Sequence, residues 1–500
     1  MFTKVLIANR GEIAVRIIKT LQEIGIKSAV IYSDIDKDSL HVSMADEAYY
    51  LDGTSPSETY LNIQKIIETA NANNIEAIHP GYGFLSENSS FAQACIDSNI
   101  VFIGPKPNVV LQMGDKLLAK KIMQEAGIPI LPGFELHNSS LNEIINHIQK
   151  IEYPVLVKAA CGGGGKGMRL VYKESELESA LESASREAKN FFGDGRMFIE
   201  KYISKPRHIE FQIFGDNYGN VIHLFERECS IQRRHQKIIE ESPSCALTKE
   251  LREKMEQAAI KAAKAIGYTN AGTVEFILDE NKNFYFLEVN TRLQVEHPVT
   301  ESIIHGDLVK AQLLVASGEK LGITQSDLSI NGHAIECRIY AEDPESKFFP
   351  SAGKLYAYKE PSGPGIRVDS GVIEGSTIST HFDPMIAKLI VWTKNRQSTI
   401  EKMLWALSNY PILGIKTNIC FLQYVISHPS FKSGDIDTHF IENYCSDFKS
   451  NIDISNPLAE SIAAYLFSNE KLISPQFQIS NSKFQIPNSP WQLMGKWRNN

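Results

Sequence analysis

Three features of the 500-residue sequence predict an α/β protein, α+β overall. The opening alternates strand, helix and strand, as in a parallel sheet. The middle third reads as antiparallel strands around a glycine loop. Residues 331–446 mix strands with helices. The length fits about three domains at roughly 100–200 residues each. We place them at 1–112 (N-terminal, parallel βαβ), 113–330 (central) and 331–446 (C-terminal, mixed α/β), with 447–500 as a tail or docking segment.

Hydrophobic residues make up 43% and charged residues 22%, an ordinary globular balance. Lys and Arg number 51 against 59 Asp and Glu, a net charge of −8. A net-negative surface argues against nucleic-acid and anionic-membrane partners. No run approaches the roughly 20 apolar residues of a membrane span. The short apolar stretch Val5–Ala8 is cut off by Asn9-Arg10-Gly11-Glu12, so no secretory signal is read. Seven scattered cysteines without C-x-x-C spacing disfavour a disulfide framework or a zinc site and point to a reducing cytoplasm.

Val5–Ala8 is a short β-prone run. Ile13, Ile17, Ile18, Leu21 and Ile24 then recur at helical spacing, and Gly25 suits the helix C-terminus. Ser28–Tyr32 is the next strand. The first turn carries one glycine, not G-x-G-x-x-G, which disfavours a dinucleotide site. A second unit runs from Ile75–Ile78 through His79-Pro80-Gly81-Tyr82-Gly83-Phe84 to a helix near Phe91–Ile96 and a strand at Val101–Ile103. In the middle third we read strands at Tyr153–Ala159, Met168–Val171, Met197–Tyr202, His208–Phe214 and Val221–Phe225. Helices are read at Glu176–Ala188 and Lys249–Ile266, followed by a hairpin of Thr273–Asp279 and Phe284–Asn290. Beyond it come strands Ala334–Tyr340 and Met385–Val391, helices Thr399–Leu407 and Asn418–Ser427, and a helix candidate in the tail, Leu458–Phe467.

The hairpin carries the most chemistry. If its turn is centred between Asn281 and Lys282, Glu275 sits opposite Glu288. Facing carboxylates repel, and their neighbours Phe276, Ile277, Phe286 and Leu287 suggest burial. Buried carboxylates need a proton, a cation or a metal. Asn290, two residues beyond Glu288, shares its face. Two carboxylates and an amide oxygen are hard ligands suited to Mg2+ or Mn2+, and a magnesium ion held by few protein oxygens usually also holds phosphate. If the backbone stays extended, Glu288, Asn290, Arg292, Gln294 and Glu296 all face one cleft, where a cation and a carboxylate could hold and deprotonate a small anion.

Cys161-Gly162-Gly163-Gly164-Gly165-Lys166-Gly167-Met168 is not a Walker loop, but its successive backbone N–H groups could wrap phosphate oxygens. Lys158 enters this loop, and Lys116 follows Met113-Gly114-Asp115; taken alone, each also fits a solvated surface. Glu200-Lys201-Tyr202-Ile203 ends a strand and could offer an adenine both apolar packing and backbone edges. Ser230–Lys237 is a dense basic run, ordinarily a solvated face and here partly matched by flanking glutamates.

Together Asn9–Ala14, His79–Asn88, the loop at 161–168, Arg233–Lys237 and Glu288–Thr300 resemble biotin carboxylase, the ATP-grasp component of biotin-dependent carboxylases, over about residues 2–446. The resemblance implies a central ATP-grasp domain with a mobile lid at about 132–203. It implies ATP held by Lys116, Lys158, Gly164, Gly165, Glu200, Lys201, Tyr202, Ile203, His208, Gln232 and His235, with Glu275 and Glu288 reaching the nucleotide through metal. Two Mg2+ or Mn2+ ions would be bound by Glu275, Glu288 and Asn290, and bicarbonate and the carboxyphosphate derived from it by Lys237, Arg292, Gln294 and Val295, with Lys237 and Arg292 counted as catalytic alongside Glu296 and Arg338. Glu296 would be the base, and Arg338 would bind biotin and stabilise its ureido oxyanion. The implied reaction is ATP- and bicarbonate-dependent carboxylation of biotin through carboxyphosphate, the first half-reaction of an acyl-CoA or pyruvate carboxylase. Implied partners are a biotin carboxyl carrier, a carboxyltransferase subunit, plus a second copy in a homodimer. No Met-Lys-Met biotin-attachment motif occurs, so the biotin is expected on another chain.

Overall fold

The structure, a computed structural model, describes residues 1–136, 140–160 and 167–450. The expectations for Cys161–Lys166, including Gly164 and Gly165, and for the tail helix Leu458–Phe467 lie outside the described residues.

Strand β1 (Lys4–Ile7) leads through helix α1 (Gly11–Glu23) to β2 (Lys27–Tyr32), then β3 (Glu47–Tyr50), β4 (Ala77–His79) and β5 (Val101–Phe102). All pairings are parallel and the order is β3-β2-β1-β4-β5. The sheet is covered on both faces, so β1 reads as a continuous apolar run rather than an alternating one.

Helix α2 (Lys116–Glu125) precedes a four-stranded antiparallel sheet of β6 (Gly133–Glu135), β7 (Val155–Ala159), β8 (Met168–Val171) and β9 (Met197–Lys201), in the order β6-β9-β7-β8. Helix α3 (Leu177–Phe192) packs on this sheet, and the layer has a core of its own that includes Val155, Val157, Leu177, Ala184 and Ile199.

The largest element is an eight-stranded antiparallel sheet. It comprises β10 (Arg207–Gly215), β11 (Val221–Arg233), β12 (Gln236–Ser242), β13 (Asn270–Leu278), β14 (Phe284–Asn290), β15 (His333–Tyr340), β16 (Ile366–Ser370) and β17 (Met385–Thr393). Their order is β14-β13-β10-β11-β12-β15-β17-β16. The sheet runs unbroken across residue 330, because β12 pairs with β15. Period-two patterning divides its faces. Ile209, Phe211, Ile213, Val274, Phe276, Leu278 and Val289 pack against helix α4 (Lys249–Ala265), while the intervening polar residues face the other way. Helix α5 (His297–Ile304) lies on that polar face, and α6 (Arg396–Ser408) and α7 (Ile419–Ser427) close the C-terminal core.

Two expectations change, and a third holds in part. The backbone does not stay extended through 296: β14 ends at Asn290, and Glu296 is the N-cap position of α5. Pro298, at the start of α5, favours a helix there. The basic run Ser230–Lys237 is solvated only at Arg234 and His235, while Arg233 pairs with Glu342 and Lys237 with Glu210, Glu275 and Glu296, the partial internal pairing that the flanking glutamates suggested. Strand β11 extends to Arg233, and a two-residue turn at Arg234-His235, both with positive φ, connects it to β12. Neither turn residue is glycine or asparagine, so the sequence carried no hairpin signal. Finally, the 275/288 pairing arises differently from the simple hairpin register. Near the turn Phe276 pairs with Phe286 and Leu278 with Phe284, which centres the turn on Asn281. A β-bulge between Glu275 and Phe276 then restores the register that sets Glu275 opposite Glu288.

Candidate active site

The sheet register aligns Glu288, Glu275, Glu210 and Arg227 side by side on β14, β13, β10 and β11. Three adjacent carboxylates on one face would repel unless cations were interleaved. Lys237 supplies one: its Nζ donates to Glu210 at 2.5 Å, Glu275 at 2.9 Å and Glu296 at 2.7 Å. Burial opposes its charge, but the three carboxylates outweigh burial and hold the ammonium well above its ordinary pKa. Arg227, fully buried, donates to Glu210 (2.5 Å), Gln212 (2.8 Å), Thr300 (2.9 Å), Thr273 (3.2 Å) and Gln294 (2.5 Å). It ties the 291–296 turn to the sheet, so the expected residues converge although the strand has ended.

Asn290 Nδ2 and Gln294 Nε2 each donate to Glu275 Oε1 at 2.8 Å. Asn290 Oδ1 accepts from Arg292 at 3.0 Å, so the amide would have to turn over to offer its oxygen to a metal. His208 Nε2 lies 2.8 Å from Glu275 Oε2. Glu275 is held well below the usual carboxylate range: burial works against it, and Lys237 and His208 win. Glu288 goes the other way, raised by burial and by the Glu275 charge. A carboxylate pair whose second member is driven toward protonation carries an excess charge that a divalent cation would relieve, so the donor set fits Mg2+ or Mn2+.

Two clefts flank this row. One, of about 470 Å³, is lined by Lys116, Lys158, Lys201, Tyr202, Ile203, His208, Gln232, His235, Glu275 and Glu288, with apolar walls from Leu131, Leu156, Met168, Leu170, Phe198, Ile277 and Leu287. Glu200 is buried behind it, its carboxylate 2.8 Å from Lys158 Nζ and paired also with Lys120. Lys120 is missing from the sequence-based expectations, yet it stands four residues from Lys116 on one helix face, a signal that was available. His439 and Glu442 also line this cleft, far from it in sequence, and His439 Nε2 lies 2.9 Å from the Tyr202 hydroxyl.

The other cleft, about 540 Å³, is lined by Arg292, Val295, Arg338, Gln236, Tyr82 and the Asn9–Ile13 turn, among others. Arg292 Nε donates to Glu87 at 2.9 Å, which fastens the N-terminal segment to the site. Val295 O accepts from Lys388 Nζ at 3.0 Å. Arg338 donates from Nε to Glu240 at 2.7 Å and from a terminal nitrogen to Glu296 Oε2 at 3.0 Å. Glu296 therefore has Lys237 on one oxygen and Arg338 on the other, joining the two clefts. Burial would raise its pKa, but Lys237, Arg338 and Arg227 hold it well below the carboxylate range.

Family models match in three consecutive segments: the biotin carboxylase N-terminal domain at 1–110, the carbamoyl-phosphate synthase L chain ATP-binding domain at 115–324, and the biotin carboxylase C-terminal domain at 336–443. Biotin carboxylase 2 of Bacillus subtilis is 52% identical over 444 residues, covering 89% of this chain and 100% of that protein. The chain belongs to the biotin carboxylase family. A second relative, the alpha chain of mitochondrial methylcrotonoyl-CoA carboxylase from Dictyostelium discoideum, is 48% identical over 499 residues, 100% of this chain and 70% of that one. Among solved structures, the biotin carboxylase domain dimer of Hydrogenobacter thermophilus 2-oxoglutarate carboxylase, in complex with MgADP, ADP and bicarbonate, superposes with a TM-score of 0.87. It is 48% identical, and the match covers 90% of this chain and 100% of that one. The mixed α/β fold with its N-terminal parallel sheet matches these biotin carboxylase structures.

Proposed function

We propose that the row of glutamates between the two clefts performs ATP- and bicarbonate-dependent carboxylation of biotin through carboxyphosphate, as the first half-reaction of an acyl-CoA or pyruvate carboxylase. Lys116 and Lys158 meet the phosphates. The strand end Glu200–Ile203, with the apolar walls, takes the adenine, and His208, Gln232 and His235 complete the nucleotide site. Glu275, Glu288 and Asn290 would hold two Mg2+ or Mn2+ ions, which would supply charge neutralisation at the phosphates. Lys237, Arg292, Gln294 and the Val295 backbone hold bicarbonate, and Glu296 takes its proton. In the structure Lys237, Arg338 and Arg227 suppress the basicity of Glu296. An arriving anion draws Lys237 and Arg292 toward itself, and Glu296 gains proton affinity as its substrate binds. Arg338, permanently charged and planar, faces the second cleft and stabilises the ureido oxyanion of biotin.

The biotin comes on a carboxyl carrier, the carboxyl group passes to a carboxyltransferase, and the chain works as a homodimer. The partition into 1–112, 113–330, 331–446 and the 447–500 tail, with a lid at 132–203 that closes over nucleotide, belongs to the same reading. So does a reducing cytoplasmic location; no helix among the described residues is long and apolar enough to cross a membrane.

The observation that carries the reading is Glu296 bridging Lys237 on the nucleotide side to Arg338 on the other. The test is bicarbonate-dependent ADP release stimulated by free biotin. Turnover indifferent to biotin would assign the site to another ligation, and tight ATP binding without turnover would make it regulatory.

A further inference from the structure

Behind Arg338 lies a second facing pair of glutamates that the proposed reaction does not use. Glu240 on β12 pairs across the ladder with Glu336 on β15, and both are fully buried. Glu240 Oε1 accepts from Arg338, whereas Glu240 Oε2 and both Glu336 oxygens are buried without a hydrogen-bond partner among the described residues. Two ionised carboxylates in this position would repel, and a buried charge without a donor is strongly unfavourable.

Among the described residues, each cation near Glu336 is already engaged elsewhere. Arg338, on its own strand, is engaged by Glu240 and Glu296. Lys388 on β17 donates to Val295 O at 3.0 Å and lies 3.3 Å from Glu12 on α1 and 3.8 Å from Asp369 on β16. Arg367, also on β16, binds Asp369 and Glu301. From α5, His297 is kept neutral by burial and by Lys388, and Val299 and Ile303 present an apolar face beside Ala334 and Ile390. Burial accordingly drives the Glu336 acid well above the usual range, with Lys388 and Arg338 opposing it and Glu240 adding to it. Burial also raises Glu240, but only to about 7, because Arg338 donates to it, so Glu240 is the member of the pair that ionises first.

We propose that Glu336 is a positioning residue carried as the neutral acid: it leaves Glu240 as the one charged clamp on the Nε edge of Arg338 and so keeps the local potential around the guanidinium positive for the biotin oxyanion. This rests on the role of Arg338 proposed above. Ionising Glu336 would add a third negative charge around Arg338, after Glu240 and Glu296, and would weaken oxyanion binding without touching the nucleotide side.

The experiment is Glu336→Gln, an isostere of the neutral acid, assayed across pH for biotin-stimulated turnover relative to biotin-independent ADP release. The parent is expected to lose the biotin-stimulated part on the alkaline side. The variant is expected to lose most of that decline while staying within about threefold of the parent near neutral pH. An unchanged alkaline decline overturns the proposal, as does a loss of about tenfold or more at neutral pH, which would mean that an ionised carboxylate is required. Glu336→Met is the second variant, since a neutral acid without partners is replaceable by an apolar side chain of similar length. Failure of both variants to fold would also overturn the proposal. If Arg338→Gln spares biotin carboxylation, the underlying reading fails. If that variant is crippled while Glu336→Gln behaves as the parent in pH, only the present proposal fails.

Discussion

Replacing Arg338 with glutamine separates the two halves of the reaction. Arg338 is 7% exposed and is shared by Glu240 at 2.7 Å and Glu296 at 3.0 Å. Glutamine keeps a donor but removes the charge. Losing one partner of a buried ion pair costs about 3–5 kcal/mol, and the loss here falls on Glu240, whose charged donor is Arg338, since Lys237 still holds Glu296. Losing one oxyanion donor lowers turnover by about 10²–10³, or roughly 3–4 kcal/mol in the barrier. These effects read out separately. The stability cost lowers the denaturant midpoint and leaves the ratio of the two half-reactions unchanged. The catalytic effect lowers biotin-stimulated turnover and spares biotin-independent ATP cleavage. Glu296, relieved of one of its cations, becomes if anything the better base for bicarbonate. The expected result is a fall in the ratio of biotin-stimulated to biotin-independent rate by about 10² or more. A parallel loss of both rates would refute the reasoning, because it would place Arg338 on the ATP side.

Three further outcomes are expected. Glu288→Lys puts an ammonium where the Glu275–Glu288 pair would hold metal, and turnover should fall by at least about 10³ with the fold intact by circular dichroism; near-normal rates at saturating magnesium would reject the metal reading. Glu200→Ala leaves Lys158 and Lys120 crowded together without their shared carboxylate, and the KM for ATP should rise severalfold with a smaller change in kcat; a changed kcat at constant KM would contradict this. His79 is fully buried, its pKa pushed down to about 4 by burial. A histidine kept neutral in the fold but free to protonate when unfolded contributes stability that is complete above about pH 6.5 and is lost as pH falls toward about 4. Its share of the loss at pH 5 is about 2 kcal/mol, so His79→Gln should flatten the acid limb of the denaturant midpoint, and parallel limbs would contradict the assignment.

How much of this site was legible in the sequence depends on whether its geometry was local. The alternation in Arg207–Gly215 and Asn270–Leu278 divides apolar from polar faces by itself, period two puts Glu288 and Asn290 on one side, and an assumed turn register adds Glu275 opposite Glu288. Even there, the pairing survived through a bulge that nothing in Phe284–Asn290 announces. The Arg234-His235 turn was illegible because its positive φ values are sustained by surrounding structure and not by turn residues. Glu210 was illegible for another reason: a lone glutamate in a strand gains meaning only when the pairing of β10 with β13 sets it beside Glu275. Arg227 and Lys237 then become necessary rather than incidental. A row of glutamates across neighbouring strands cannot stay ionised and buried without cations among them, and these two reach in from the adjoining strands β11 and β12. The same electrostatic requirement that stabilises the row makes it responsive to substrate. Any anion that competes for Lys237 frees Glu296 to act as a base, so the proton acceptor is strengthened only when there is a proton to accept.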